Sequence, residues 1–470
     1  MKNFLLGLSL ILLIVVAGCN NKVTYKAGPA TLAGSIVGAE NQQLFIRKET
    51  INQNELDTIM VSLNGSFSYT TNLEKPEYFT LFVGRDQLVI YMKPGDTVSF
   101  AADIQRFDEI KFSGSSSVYN DYLVKLTKGQ GAYSATLQNI FRFDEKTVSK
   151  SMDSVRLAQL ADLEVLEKNF SKTDPIFIQT EKNRILYYWG VNHILYPLYY
   201  GYLNQIENYQ PSPDFDSFMN ELNLNDSNLL TIPEYRQFIS NYLSSEVNSY
   251  FYSDSLQVSQ PSFTAYQLNK VSALFSDPSI KSYLAYRILK DHVLYDGVKD
   301  YDIILPIFED LCKVEDFRAD IQNDLKAWEL LKKGMPANDF AGVNIKGDSV
   351  RLSDFRGKYV YVDVWATWCQ PCLKEIPFLL EMDEAFKGKN IVFLGVSVDR
   401  DKEDWMSRVE QGGLAGLQVY VGLNEDLSGF YKISGIPRFM LFDPDGNILE
   451  VSADRPSSGV SRKLMMLEGI

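Results

Sequence analysis

Four cysteines occur in 470 residues, and two of them, Cys369 and Cys372, lie three positions apart in Val364-Trp365-Ala366-Thr367-Trp368-Cys369-Gln370-Pro371-Cys372. The preceding run, Tyr359-Val360-Tyr361-Val362-Asp363-Val364, reads as a buried strand, so the pair opens a helix that follows it. A Cys-x-x-Cys in that place is the layout of a dithiol that opens and closes a disulfide. At a helix N-terminus, unpaired backbone N–H groups and the helix dipole favour the thiolate of the first cysteine. The second, one turn on, is placed to attack a mixed disulfide from inside the protein. The chemistry is thiol–disulfide exchange, with the two sulfurs carrying the electrons and no separate cofactor. No metal is expected: zinc would need two more ligands, and the only histidines, His193 and His292, are far away in the chain.

Strands and helices alternate around the pair. After Gly334-Met335-Pro336, strand signals surround Lys346-Gly347-Asp348, and the buried strand leads into a helix that runs to about 387. Strands follow at 391–398, 417–421, 438–442 and 447–452, with helices at 402–411 and 425–431 and a short terminal one. The alternation predicts an α/β domain over 333–470 whose mixed sheet is covered on both faces.

Trp365-Ala366-Thr367-Trp368-Cys369-Gln370-Pro371-Cys372, Glu375-Ile376-Pro377 and Gly435-Ile436-Pro437 together resemble the thioredoxin-like domain of the TlpA/ResA type of membrane-tethered thiol-disulfide oxidoreductases. The resemblance implies that Cys369 attacks and Cys372 resolves. It matches Asp363 to the buried carboxylate of thioredoxins and Glu375 to the active-site glutamate of ResA-type proteins. Pro437 matches the family's cis-proline, which leaves the Ile436 backbone to pair with an extended substrate strand. Trp368, Gln370 and Pro371 complete the surface offered to substrate. Arg438 stands where the family usually carries a small polar residue, a departure that suggests acidic partners. Implied partners are proteins with thiols or disulfides and a membrane electron donor; resembling proteins serve cytochrome c-type biogenesis or reduce other envelope disulfides. No histidine lies between the cysteines, and a less stabilised thiolate means a more stable disulfide and a lower potential. The expected direction is therefore reduction of protein disulfides.

The rest of the chain divides in three. Lys2, the apolar run Phe4 to Val16 and Val16-Ala17-Gly18-Cys19 read as an export signal over 1–18, too short for a membrane span of about 20 apolar residues. Cys19 resembles the lipidated cysteine of a bacterial lipobox, which implies a lipid-anchored, periplasm-facing protein of the cell envelope on the inner or the outer membrane. A polar tether is expected over 19–30. Short strands and turns from 31 to 114, among them Asn64-Gly65 and Lys93-Pro94-Gly95-Asp96, predict an all-β sandwich or barrel. This region resembles the β-rich domain ahead of the thioredoxin domain in a group of envelope lipoproteins. From 115 to 332 the period becomes helical, with Leu160, Leu163, Leu166 and Phe170 on one expected buried face and prolines such as Pro175, Pro197, Pro233 and Pro278 between helices. The aromatic segment 184–209 suits either a ligand platform or core packing. Cys312 reads as a buried free thiol.

A net charge of −14 without a basic block argues against nucleic acid. A peroxiredoxin needs a proline seven and a threonine three residues before its reactive cysteine; Val362 and Ala366, or Trp365 and Cys369, stand there instead. The other alternative is a partner- or ligand-binding envelope lipoprotein with an accessory redox domain.

Overall fold

The computed structural model describes residues 25–51, 55–107, 109–170, 173–251, 262–422 and 424–470. The signal over 1–18, Cys19 and the tether up to 24 lie outside the described residues. Contacts divide the chain into two compact units: residues up to Arg142 with Ser154–Lys182, and Phe143–Asp153 with Asn183–Ile470.

In the first unit, β1 (Gly28–Val37), β2 (Gln43–Lys48), β3 (Glu55–Met60), β4 (Ser66–Leu73), β5 (Glu77–Val83), β6 (Asp86–Met92), β7 (Thr97–Asp103) and β8 (Lys111–Gly114) form two four-stranded sheets, β4-β1-β7-β8 and β3-β2-β5-β6. Alternating inward residues of both sheets, such as Leu32, Ile46, Phe79, Leu81, Ile90 and Val98, make one core, as expected of a sandwich. The expected tether ends early, because Gly28 already pairs with Leu73. Gly34 has no side chain for a steric reason: a Cβ there would run into the Phe100 carbonyl of β7 and the Phe67 ring.

Helix α1 (Ser117–Ile140) lies against this sandwich. Asn120 closes the edge strand β6, accepting from the Tyr91 N–H at 2.7 Å and donating to its carbonyl at 3.0 Å. Asp174 accepts from Tyr25 and Tyr91, and Phe177 packs against Tyr91, Tyr119 and Tyr122. These contacts correct the expectation of one helical domain over 115–332. They tie α1 and the start of α3 (Pro175–Asn204) to the sandwich, and the helical region is shared between the units.

Helix α2 (Glu145–Asn169) buries Val148, Met152, Leu163 and Leu166, whereas Phe170 falls beyond its end and is exposed. In the second unit α3 is followed by α4 (Pro233–Phe251), α5 (Phe263–Leu274), α6 (Pro278–Tyr295), α7 (Tyr301–Leu311) and α8 (Glu315–Lys326). Pro175, Pro233 and Pro278 occupy first helical positions, where the missing N–H costs nothing. Pro197 instead lies inside α3. Tyr187, Trp189 and Tyr196 of the aromatic segment are buried and stack with one another's neighbours, so this part of the segment is core. His193 packs on Trp189 and Phe218. His292 is held by Thr264 and the Lys299 carbonyl, and Cys312 is buried.

The last region carries β9 (Ala341–Asn344), β10 (Ser349–Arg351), β11 (Tyr359–Trp365), α9 (Gln370–Ala385), β12 (Ile391–Ser397), α10 (Lys402–Glu410), β13 (Leu417–Tyr420), α11 (Glu425–Ser428), β14 (Arg438–Phe442), β15 (Ile448–Glu450) and α12 (Val460–Leu464). The seven strands pair in the order β10-β9-β13-β12-β11-β14-β15. Strand β11 is buried along its whole length, parallel to β12 and antiparallel to β14. Its alternate residues Tyr361, Asp363 and Trp365 share the face on which Tyr361 packs with Leu379 and Met382 of α9. Asp363 therefore sits mid-sheet, opposite Gly395 on one side and Phe439 on the other.

Gly34→Ala is expected to cost about 1–3 kcal/mol through overpacking, read as a lower urea midpoint in the transition of the β-sandwich, with dithiol turnover unchanged.

Candidate active site

The helix that the cysteines open is capped by one of them. Cys369 is the residue before α9, in extended conformation, and its Sγ accepts from the Cys372 N–H at 3.2 Å. A sulfur so placed faces the unpaired N–H groups of the first turn, which stabilise negative charge there. The two sulfurs form the disulfide Cys369–Cys372. Both are buried, in a cluster with Trp365, Ala366 and Trp405 and with Ile436 packed against it. Trp368, 66% exposed, stands at the surface beside them, as do Gln370 and Pro371.

The turn that presents Cys369 is held from below. Asp399, fully buried, accepts from the Thr367 N–H at 2.9 Å, from Thr367 Oγ1 at 2.7 Å and from Ser397 Oγ at 2.8 Å. Buried hydrogen bonds of this kind contribute about 1 kcal/mol each, and three converging on one side chain hold the loop in one conformation. Gln418 plays a similar part for Trp365, accepting from its indole N–H at 3.1 Å. A Cβ on Gly395 would overlap the Gln418 amide, so the glycine makes room for that side chain beside Trp365.

Asp363 is buried with no hydrogen-bond partner for Oδ1 among the described residues. Loss of hydration, and secondarily the nearby Glu375 charge, push its carboxyl up from 3.8 to about 8. A cavity of about 20 Å³ is lined by Asp363, Cys372, Trp365, Gly395 and Gln418 among others. That is room for one water. Glu375 is buried rather than a solvated helix residue, and both its oxygens are taken, by the Ser457 N–H at 3.0 Å and Ser457 Oγ at 2.8 Å.

The Ile436–Pro437 bond is cis. Among the described residues neither the Ile436 N–H nor its carbonyl has a backbone partner. A buried dithiol beside an open backbone edge suits an extended chain that adds to the edge. Arg438 corrects the expectation of a side chain turned to acidic partners. It is buried, its Nη2 donates to the Lys432 carbonyl at 3.4 Å, and Nη1 has no hydrogen-bond partner among the described residues. Its charge is balanced in part by Asp296.

The structure brings Cys369, Cys372, Asp363, Glu375 and Ile436–Pro437 together. Asp399, Ser457 and Gln418 are the supports that sequence reasoning missed. None has a local signal, since each meets its partner only through the sheet or the terminal turn.

A strand, a Cys-x-x-Cys helix and a cis-proline loop in this sheet order define a thioredoxin-like dithiol–disulfide domain. Residues 357–448 match a family model described as thioredoxin-like, and residues 30–118 match one described as a domain of unknown function. The chain is 30% identical to the thiol-disulfide oxidoreductase ResA of Geobacillus kaustophilus over 118 residues, 25% of this chain and 67% of that protein. It is 28% identical to the Bacillus subtilis ResA over 123 residues, 26% and 68% of the two chains. The thioredoxin domain of a Bacteroides vulgatus thiol-disulfide oxidoreductase is 37% identical, covering 28% of this chain and 96% of that one with a TM-score of 0.27. The chain belongs to the TlpA/ResA-like thiol-disulfide oxidoreductases through this C-terminal domain.

The raised carboxyl has a definite pH signature. Between about pH 4 and 8 the unfolded chain has lost the proton that native Asp363 keeps, so stability falls as pH rises through that window and stays lowered above it. Asp363→Asn removes the penalty. In urea titrations the variant's stability gain is expected to be small at pH 4 and to grow to a few kcal/mol by pH 8–9. The same variant is expected to resolve mixed disulfides about 100-fold more slowly and to lose the inflection near pH 8.

Proposed function

We propose that this oxidoreductase is a lipid-anchored envelope enzyme that reduces disulfides of proteins. The observation that carries the reading is the capped Cys369 sulfur lying with Cys372 above a buried carboxyl and beside the open Ile436 edge. In the reduced enzyme the Cys369 thiolate attacks one sulfur of a substrate disulfide, forming a mixed disulfide and releasing the other sulfur as a thiolate. Cys372 must then lose a proton. Asp363, its carboxyl pushed up to about 8 by burial, lines the same small cavity as Cys372 and is placed to take that proton. The Cys372 thiolate attacks Cys369 Sγ, the second substrate thiolate leaves, and the internal disulfide closes. Two electrons pass from the dithiol to the substrate, and a membrane dithiol donor must restore them.

The direction rests on Gln370-Pro371, which add no charge beside Cys369 beyond the helix terminus. The anchor rests on Lys2, the apolar run and Cys19, where two or more acyl chains would hold the protein stably on a membrane. The neighbouring envelope work, including cytochrome c-type biogenesis, belongs to the same proposal.

Three outcomes are expected. In redox titration the potential lies nearer the −270 mV of thioredoxin than the roughly −120 mV of DsbA; a value near the latter reverses the direction. In the reduced protein Cys369 alkylates faster than Cys372, and Cys369→Ser abolishes insulin reduction; no turnover by the unaltered protein favours a binding lipoprotein with an accessory redox domain. Radiolabelled palmitate enters the protein in a bacterial host with lipoprotein export, and Cys19→Ser abolishes both label and membrane retention.

A further inference from the structure

The cis-proline loop does not stand alone. The Ser434 hydroxyl donates to the Leu294 carbonyl at 2.8 Å, and a Cβ on Gly435 would lie 3.7 Å from the Tyr295 ring. The loop beyond α6 reinforces the junction, with Lys299 Nζ 2.6 Å from Asp454 Oδ1 and Ser452 Oγ 3.5 Å from Asp296 Oδ1. The end of α6 thus flanks the backbone edge whose Ile436 groups have no partner. Leu294 and Tyr295 are about half exposed there.

Tyr295 and Asp296 also line a groove of about 330 Å³ between α4, α5 and α6. Its walls mix Ser244, Gln267, Arg287 and Asp291 with the exposed Phe263 ring. Donors, acceptors and both charges along the walls suit a polypeptide backbone with varied side chains better than an apolar ligand. Tyr295 thus borders both the loop that carries Ile436 and this groove.

We infer that the groove between α4, α5 and α6 binds the extended polypeptide flanking the substrate's disulfide, as a second docking surface continuous with the Ile436 edge. The inference rests on the reading of the substrate as a protein disulfide. It gives the helical region a task in that reaction: the dithiol takes any accessible disulfide, and the groove adds affinity for chains long enough to reach it. Such added binding to a remote part of the substrate lowers KM without changing the chemistry at sulfur.

The test compares two disulfides on the full chain, insulin and the small aromatic disulfide of Ellman's reagent. Ser244→Trp fills the groove and Phe263→Ala removes its ring, both away from the sulfurs. The expected result is a KM for insulin about tenfold higher in each variant, with kcat/KM for the small disulfide unchanged. An unchanged insulin KM in both variants overturns the inference while leaving the protein-disulfide reading intact, as does an equal loss with both disulfides. If the unaltered protein turns over the small disulfide but not insulin, the reading of a protein substrate fails first and the groove's role with it.

Discussion

A carboxyl group sealed beneath the dithiol is the constraint on which the C-terminal domain is organised. An ionised carboxylate in that position would be cut off from bulk solvent, with no hydrogen-bond donor to one oxygen among the described residues, so the proton is held far above the acidic range. That costs stability at neutral pH, and the surrounding sheet must supply the difference. It does so with a central strand buried from end to end and paired on both sides. The group that carries this penalty lies next to the dithiol, since Asp363 and Cys372 line the same small cavity.

Around this group each neighbour has a separate physical job. The first turn of α9 offers N–H groups to the Cys369 sulfur. Asp399 fixes the turn before it, and Ser457 neutralises the hydrogen-bonding demand of Glu375 so that a second carboxylate can be buried nearby. Glu375 then raises its neighbour further by charge repulsion. Buried polar groups of this kind hold only when their partners are present together. Contacts from α6 and the following loop place helical segments beside the cis-proline loop, so the reacting edge is not the property of the thioredoxin-like domain alone.

The order of strands and helices from 341 to 464 could be read from periodicity because each element shows its own spacing of apolar residues. The helical region was harder. The stripe of α2 was legible at Leu163 and Leu166, yet Phe170 turned out exposed because the helix ends before it. Pro197 sits within α3 although proline usually ends a helix. The partition of the helices between two units was hidden as well, since Tyr91, Tyr119, Asp174 and Phe177 meet only after folding.

By itself the sequence determined the dithiol, its place at a helix start and the acidic residues near it, because these depend on neighbours a few positions apart, whereas the proline that faces it was implied only by the family resemblance. Only the tertiary structure decided that Glu375 is held by Ser457, that Asp399 anchors the Cys369 turn, that Arg438 faces inward and that α6 borders the cis-proline loop. Each of those joins residues distant in the chain. Burial and charge compensation arise from such joins, and no local pattern of residue types encodes which distant partner will be there.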